Sequence, residues 1–489
     1  MEIEAAEEFE AADSPIKKQK KSTPTPKYSD GGYGWVILAS CFVITGLASS
    51  FVRSFGIFFL DIQKYFDTRA FKVSWISSIT VAVFHLSSPL ASVLNLKLSY
   101  RVITIIGGIF SMLGILLGSF AYSLMWMYFT TGFLLGLGNG FAWISSVSLV
   151  NQYFTDRRPL ANALASSGDS VFLFILTPFS QWLIDSMSWR QAMIIISGIH
   201  LHICVCGALM RPYHLQKKVR HSTSATNSGK DLPHESREHK RISGYFRDMT
   251  LLKQPMFICI IFFGFFSVMG LFIPVIYFVP HAQNIGIEDF KGALLMSYWS
   301  VFDLIGRLGC GWFANLRLLK SLRLSIIMNT ILSVILLLLP LAKNYTTLVI
   351  FSCVCGFFFG TIIALVVTLI TDMVGAEKLS SALGLVMLFR SIGVFVGPPL
   401  AGLLVDWTGV YSTAFFLAGG GMLIANCFLI LADYFLTYGQ NSKKTTGMEM
   451  VNVNSQEQTR EESEKEISDS DRTEDPALEP MIQGLNEDL

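Results

Sequence analysis

Twelve apolar runs, each long enough to cross a lipid bilayer, constrain the fold of this chain more than any other feature. A helix rises about 1.5 Å per residue, so roughly 17–25 apolar residues span the hydrocarbon core. Because lipid cannot satisfy backbone N–H and C=O groups, such runs predict helices and an all-α membrane protein. The runs lie near residues 34–59, 72–95, 101–121, 124–151, 157–185, 189–210, 255–283, 291–314, 322–341, 346–371, 379–405 and 411–435.

The composition agrees with a membrane location and excludes several classes of protein. Of the 489 residues, 52% are hydrophobic and 15% are charged, which is too apolar for an average soluble domain. The cysteines lie in apolar runs without metal-binding spacing, and the sequence contains no nucleophile elbow or phosphate-binding loop. We therefore predict that the chain is not an enzyme and holds no cofactor, no metal and no nucleic acid.

A polar segment divides the runs into two blocks of six. This layout is typical of transporters in which two bundles surround a substrate site near the membrane midplane. Lys and Arg cluster on one side of the alternating helices, so that side and both termini are predicted to be cytoplasmic. The predicted organisation is a disordered cytoplasmic tail at 1–30, a six-helix bundle at 31–210, a cytoplasmic loop at 211–254, a second six-helix bundle at 255–438 and a disordered acidic cytoplasmic tail at 439–489.

Two ionisable residues lie one helical turn apart inside the eighth run. Asp303 and Arg307 are four positions apart, which puts a carboxylate and a guanidinium on one helix face with the acid N-terminal. A charge at mid-membrane costs at least about 2.5–3.5 kcal/mol, so it usually faces a partner or a substrate path. We expect Asp303 to accept a proton and Arg307 to bind a carboxylate. The alternative is a purely structural ion pair.

Four further ionisable residues inside the apolar runs are candidates for the site. Arg53 lies in the outer part of the first run, His85 near the middle of the second, Asp169 in the fifth and Arg390 in the eleventh. Arg53 either points into the site or extends to the outer headgroups, and His85 is either a ligand or a packing histidine. Asp169 and Arg390 lie in opposite blocks, so they either contact the substrate or form a gate.

The charges of these residues narrow the substrate. Three arginines against two aspartates leave one net positive charge, so a cavity that held all five would favour a small monoanion. A proton on Asp303 would add a further positive charge and couple proton uptake to anion uptake. A guanidinium suits a carboxylate because its fork donates two parallel hydrogen bonds.

Six short motifs resemble those of one transporter family. They are Asp30–Trp35 (DGGYGW), Val73–Ser78 (VSWISS), Tyr153–Ala165 (YFTDRRPLANALA), Gly207–Pro212 (GALMRP), Leu379–Gly384 (LSSALG) and Gly397–Gly402 (GPPLAG). In these motifs, over roughly residues 30–435, the chain resembles the monocarboxylate transporters, solute carrier family 16 of the major facilitator superfamily. The resemblance implies twelve transmembrane helices in two six-helix bundles of the major facilitator type.

The resemblance also implies roles for four residues. Asp303 and Arg307 match the pair in the eighth helix that binds the proton and the carboxylate in the best-studied members. Arg53 stands where those members have a lysine in the first helix, and Phe359 lies near an aromatic residue that limits substrate size. The implied function is proton-coupled, alternating-access transport of a small monocarboxylate resembling lactate, pyruvate or a ketone body.

Three residues depart from the family pattern and bear on the substrate. Arg53 replaces the lysine, Asp169 stands where a serine is usual, and Arg390 occupies a position that is usually uncharged or polar. Some members carry creatine, aromatic amino acids or thyroid hormone without protons. The alternative function is therefore a proton-independent facilitative carrier of another carboxylated or zwitterionic metabolite, in which Asp303 and Arg307 stay paired as a gate.

Location and partners follow from the same reasoning. We expect a multi-pass plasma-membrane protein, surrounded by membrane lipid, with both termini cytoplasmic. Some family members need a single-pass immunoglobulin-type ancillary glycoprotein to reach the surface, and such a glycoprotein is a candidate partner here. A third hypothesis is a non-transporting receptor or scaffold that docks partners through its acidic tail, where Ser468 and Ser470 each precede an aspartate.

Overall fold

The computed structural model describes residues 32–154, 157–211, 252–315, 320–374 and 379–437, which form helices and short loops without a strand. We number the helical spans α1 to α12 in chain order. In the first half, α1 comprises Gly34–Arg53 and Phe55–Tyr65, α2 is Ala70–Lys97, α3 is Tyr100–Ser119, α4 is Leu124–Tyr153, α5 is Arg158–Ser186 and α6 is Trp189–Leu209. In the second half, α7 is Pro255–Asn284, α8 is Asp289–Asn315, α9 is Ser321–Leu338, α10 is Tyr345–Val374, α11 is Leu379–Thr408 and α12 is Thr413–Thr437.

The helices have the length and composition of membrane-spanning helices. In the described part of the chain, eleven helices are long and apolar enough to cross a bilayer. The remaining long span, α8, is not among these eleven, and it carries Asp303 and Arg307. The spans begin and end within a few residues of the predicted runs, except that α1 continues to Tyr65. The predicted all-α membrane fold is confirmed.

Parts of the predicted organisation lie outside the described residues. These parts are the tails at 1–30 and 439–489 and nearly all of the loop at 211–254. The predicted bounds of the two bundles therefore stay a prediction.

The two halves pack their helices in the same pattern. In the first half α1 contacts α5 and α2 contacts α4, as α7 contacts α11 and α8 contacts α10 in the second half. Between the halves, α2 packs along α11 and α5 packs along α8. A shift of six helix numbers converts each of these contacts into another, as expected for two structural repeats. The arrangement sets Asp169 of α5 beside Asp303 and Arg307 of α8.

The first span is discontinuous at the depth of the predicted site. Its first segment ends at Arg53, and its second segment starts at Phe55 after a break at Ser54. In transporters, interrupted membrane helices commonly line the substrate site because the interruption exposes backbone groups inside the protein. The break therefore puts Arg53 at the end of a helical segment.

The halves are joined at the end of the molecule that carries the α1–α2 loop. The Asp406 carboxylate of α11 accepts hydrogen bonds from the backbone N–H groups of Ala70, at 2.9 Å, and Phe71, at 3.0 Å. Nearby, Tyr411 donates its hydroxyl to the side-chain oxygen of Gln63 at 2.9 Å. Asp406 thus satisfies free N–H groups at the start of α2 and lies at the positive end of the helix dipole.

Replacing Asp406 with alanine should loosen the start of α2. Hydrogen bonds to a charged group contribute about 1.5–3 kcal/mol each, so loss of this acceptor should speed amide exchange at Ala70 and Phe71 roughly tenfold or more. Hydrogen–deuterium exchange read by mass spectrometry measures the effect. The matched control is Glu288→Ala, because Glu288 is exposed and pairs at 3.0 Å with Lys291 of its own half. Equal protection of α2 in both variants would contradict the capping role of Asp406.

Candidate functional site

Four charged side chains meet in the interior between the two halves. They are Arg53 of α1, Asp169 of α5, and Asp303 and Arg307 of α8, and we call them the charge quartet. Their side chains are 5%, 9%, 0% and 12% exposed, respectively. Two positive and two negative groups sum to zero, which allows four ionised groups to lie together away from water.

Each arginine of the charge quartet pairs with both aspartates. Arg53 Nη1 lies 2.9 Å from Asp169 Oδ2 and 2.8 Å from Asp303 Oδ2. Arg307 Nη2 lies 2.6 Å from Asp169 Oδ2, and Arg307 Nε lies 2.8 Å from Asp303 Oδ1. The pairs Arg53–Asp169 and Asp303–Arg307 stay within one half, whereas the other two pairs cross between the halves.

Asp303 is the most enclosed member of the charge quartet. Its carboxylate accepts four hydrogen bonds, from Arg307 Nε at 2.8 Å, Arg307 Nη2 at 3.1 Å, Arg53 Nη1 at 2.8 Å and Ser170 Oγ at 3.1 Å. Two of these four donors, on Arg53 and Ser170, belong to the other half. A buried carboxylate in its ionised form needs this many donors because it has no water to bind.

Two glycines allow the helices of the charge quartet to approach closely. A Cβ atom at Gly360 of α10 would overlap the backbone oxygen of Asp303 and lie 2.6 Å from its Oδ1. A Cβ atom at Gly168 of α5 would overlap the backbone oxygen of Phe42 in α1. Small residues of this kind let membrane helices pack backbone against backbone. Gly168 thereby brings Asp169 to α1, and Gly360 lets α10 pack directly against Asp303.

Two aromatic side chains pack on the Arg53 side of the charge quartet. The Arg53 Cζ atom lies 4.9 Å from the ring centroid of Phe359, a cation–π contact. Phe359 in turn makes an edge contact with Trp299 at 5.7 Å between ring centroids. The predicted site residue Phe359 therefore lies against the charges. The alternative in which Arg53 extends to the outer headgroups is wrong, because its guanidinium is buried and paired.

Two of the predicted site residues lie apart from the charge quartet. Arg390 is 3% exposed, and no hydrogen bond or ion pair between described residues involves its side chain. His85 is partly buried, and its Nδ1 donates to the Val81 carbonyl of its own helix at 2.8 Å. The sequence suggests one site with a net charge of +1. The structure instead has the neutral charge quartet and, apart from it, the single positive charge of Arg390. In this conformation Asp169 pairs with the other two arginines and not with Arg390.

Two residues at the site were not predicted from the sequence. Ser170 donates to Asp303 across the boundary between the halves, and Gly360 contacts Asp303 from α10. Ser170 directly follows Asp169, but its adjacency does not reveal its orientation. Gly360 carries a clearer signal, because Gly356 and Gly360 form the small-xxx-small spacing that marks close helix contacts in membranes.

Comparison with known proteins covers both halves of the chain. A family model described as the Major Facilitator Superfamily matches residues 38–341 and 320–460. Monocarboxylate transporter 2 of Meriones unguiculatus is 36% identical over 418 residues, which cover 84% of this chain and 86% of that protein. Monocarboxylate transporter 12 of Homo sapiens is 36% identical over 427 residues, covering 84% and 81%. Monocarboxylate transporter 12-B of Danio rerio is 34% identical over 451 residues, covering 89% and 94%.

Gly360→Ala should destabilise the fold at the charge quartet. The added methyl group would press on Asp303, and overpacking of a tight site costs about 1–3 kcal/mol. The temperature of unfolding in detergent should fall by roughly a few degrees. The matched control is Gly309→Ala in α8, where an added Cβ meets no atom within 4 Å. Since alanine is the better helix former, the control should unfold at the same temperature or higher, and equal losses in both variants would refute the tight α8–α10 contact.

Proposed function

Because this chain belongs to the monocarboxylate transporters of the major facilitator superfamily, we propose that it moves one small monocarboxylate together with one proton across the plasma membrane. It is a multi-pass membrane transporter rather than an enzyme. The proposed substrate resembles lactate, pyruvate or a ketone body. The observation that carries the proposal is the charge quartet, which is neutral, buried and shared between the halves.

The charge balance of the quartet supports coupling to a proton. Without substrate, two arginines and two aspartates sum to zero. A carboxylate that entered alone would leave a net negative charge in a buried site, which is strongly unfavourable. A carboxylate that enters with a proton on Asp303 restores a sum of zero. The empty and the doubly loaded sites are therefore both neutral, and neither carries a net charge through the low-dielectric interior during reorientation.

The donors to Asp303 suggest how movement of the halves exposes the proton site. When the halves move apart at this level, Asp303 loses Arg53 and Ser170 and keeps Arg307 of its own helix. A buried carboxylate with fewer donors accepts a proton more readily. The protonated acid then releases the Arg307 guanidinium, which can bind the substrate carboxylate through two parallel hydrogen bonds. In this scheme Arg53 attracts the anion, and Phe359 limits its size.

The proposed orientation follows from the positive residues near the helix ends. If the Lys- and Arg-rich ends are cytoplasmic, both termini are cytoplasmic and the α1–α2 end faces outside. The Asp406 contact with the start of α2 then closes the outer side. We propose that this conformation faces the cytoplasm. A single-pass immunoglobulin-type ancillary glycoprotein stays a candidate partner.

A second candidate function is supported by Asp169. Its Oδ1 atom is buried and has no hydrogen-bond partner, so a cationic group on a substrate could bind there. The carrier would then be a proton-independent uniporter for a zwitterionic or larger carboxylated metabolite. Asp303 and Arg307 would stay paired as a gate throughout its cycle.

Uptake by the purified chain in proteoliposomes tests the proposed symport. Labelled pyruvate, L-lactate and 3-hydroxybutyrate should accumulate faster when the outside is acidic. The increase can approach about tenfold per pH unit while binding of a single proton is far from saturation. A protonophore should abolish the stimulation, and protein-free liposomes are the blank. Uptake that is insensitive to external acid would exclude symport, and pH-independent uptake of creatine or an amino acid would favour the second candidate.

Asp303→Asn separates the two candidate functions. The amide keeps the size of the side chain but cannot gain a proton, so uptake driven by a proton gradient should fall roughly tenfold or more in a symporter. Exchange of substrate across the membrane should persist and lose its pH dependence. The matched control is Asp433→Asn on α12, whose carboxylate lies 3.8 Å from the exposed Arg323. Unchanged proton-driven uptake in Asp303→Asn, at equal amounts of folded protein, would remove Asp303 from the coupling mechanism.

A further inference from the structure

Arg390 is a buried charge that the charge quartet does not compensate. Its side chain is 3% exposed, and its Nε and Nη1 atoms are buried without a hydrogen-bond partner. Among the described residues no carboxylate forms an ion pair with it. Burying a guanidinium without a partner costs free energy. Binding of a carboxylate to it would therefore be strongly favourable.

Arg390 lies next to a layer of apolar side chains contributed by three helices. Val81 of α2, Val268 of α7 and Val394 of α11 form one buried apolar cluster, which we call the valine layer. His85 follows Val81 by four positions, and Arg390 precedes Val394 by four. Since α2 and α11 run in opposite directions, both steps lead one helical turn toward the end opposite the α1–α2 loop. Arg390 and His85 therefore lie at one level, just beyond the valine layer.

The third helix of the layer shapes the space for the Arg390 side chain. Gly264 of α7 precedes Val268 by four positions, and a Cβ atom there would lie 3.3 Å from Arg390 Cγ. Because Gly264 has no side chain, the methylene groups of Arg390 can lie against the α7 backbone. This packing holds the methylene groups of Arg390 against α7.

The α1–α2 side of Arg390 is closed by apolar side chains. The three valines are 4%, 0% and 0% exposed, so the valine layer separates Arg390 from the α1–α2 end. Asp406 and Tyr411 join the halves at that same end. An anion that binds Arg390 would therefore have to come from the opposite end, which is the cytoplasmic end in the proposed orientation.

Arg307 is occupied in this conformation. Its Nε and Nη2 atoms donate to Asp303 and Asp169, and its Nη1 atom lies 3.5 Å from the Ser166 carbonyl. Bidentate recognition of a carboxylate needs two free donors on one guanidinium. Arg390 meets that need while the charge quartet is closed, and Arg307 does not.

We propose that Arg390 forms a second carboxylate-binding site, distinct from the charge quartet, which holds the substrate anion while the carrier is open to the cytoplasm. This inference rests on the proposed function and adds a residue that determines affinity at one membrane face. The substrate carboxylate passes from Arg307 to Arg390 as the charge quartet closes. His85 lies at the same level. Its Nδ1 atom bonds to Val81, so its Nε2 atom is the part of the ring that is available to the proposed site.

Transport kinetics measured from each membrane face test the second site. Influx and efflux of labelled pyruvate and L-lactate are measured for the full chain and for Arg390→Gln and Arg390→Lys. The KM for efflux should rise roughly tenfold or more in Arg390→Gln and by less in Arg390→Lys, because lysine keeps the charge without the fork. The KM for influx should change by less than about threefold. The matched control is Arg323→Gln, which removes an exposed arginine of the same half.

A stability measurement separates ligand binding from a structural role. Arg390→Gln removes no ion pair of the described residues, so its unfolding temperature without substrate should equal or exceed that of the unmodified chain. Loss of folded protein in Arg390→Gln, or an unchanged KM for efflux, would overturn the proposal. If the unmodified chain moves neither acid, the proposed function fails and this inference fails with it. If the unmodified chain is active and Arg390→Gln is fully active from both faces, only this inference fails.

Discussion

The requirement that every buried charge have a counter-charge governs the centre of this protein. Asp303 is fully buried, yet it accepts hydrogen bonds from two arginines. The charge quartet meets the requirement in two ways. It is neutral as a whole, and each half contributes one neutral pair, Arg53 with Asp169 and Asp303 with Arg307. The halves can therefore separate without stranding a net charge on either side, which a rocking carrier needs in a low-dielectric interior.

The sequence alone predicts the features that depend on short-range patterns along the chain. Apolar runs of membrane-spanning length mark the spans because hydropathy varies along the chain at the scale of a helix. The contact between Asp303 and Arg307 follows from their spacing, since residues four apart share a helix face. The break at Ser54 carries no comparable signal, because the apolar run 34–59 continues across it without a proline. The roles of Asp303 and Arg307 in transport stay predictions.

The partners of Arg53 and Arg390 depend on which helices pack together. The position of a residue along its own helix does not predict this packing. Arg53 pairs with Asp169 and Asp303, which lie 116 and 250 positions away along the chain. Depth alone puts Arg390 near the same level, so the sequence suggests a single site with one net positive charge. The packing of α11 against α2 and α7 instead puts Arg390 one turn from Val394 of the valine layer and against Gly264 of α7.

The separation of Arg390 from the charge quartet changes the order in which a proton and an anion can leave. If both charges sat at one site, the anion would have to depart before Asp303 could pair again with Arg53 and Arg307. With two sites, the carboxylate can move to Arg390 while the quartet closes and Asp303 gives up its proton. Every intermediate then matches one negative charge of the substrate with one positive group, first on Arg307 beside a protonated acid and then on Arg390 beside a neutral quartet. In the proposed mechanism, closure of the quartet occupies Arg307 again and so favours release of the anion from Arg390 at the cytoplasmic face, while the gradients of proton and anion set the direction of net transport.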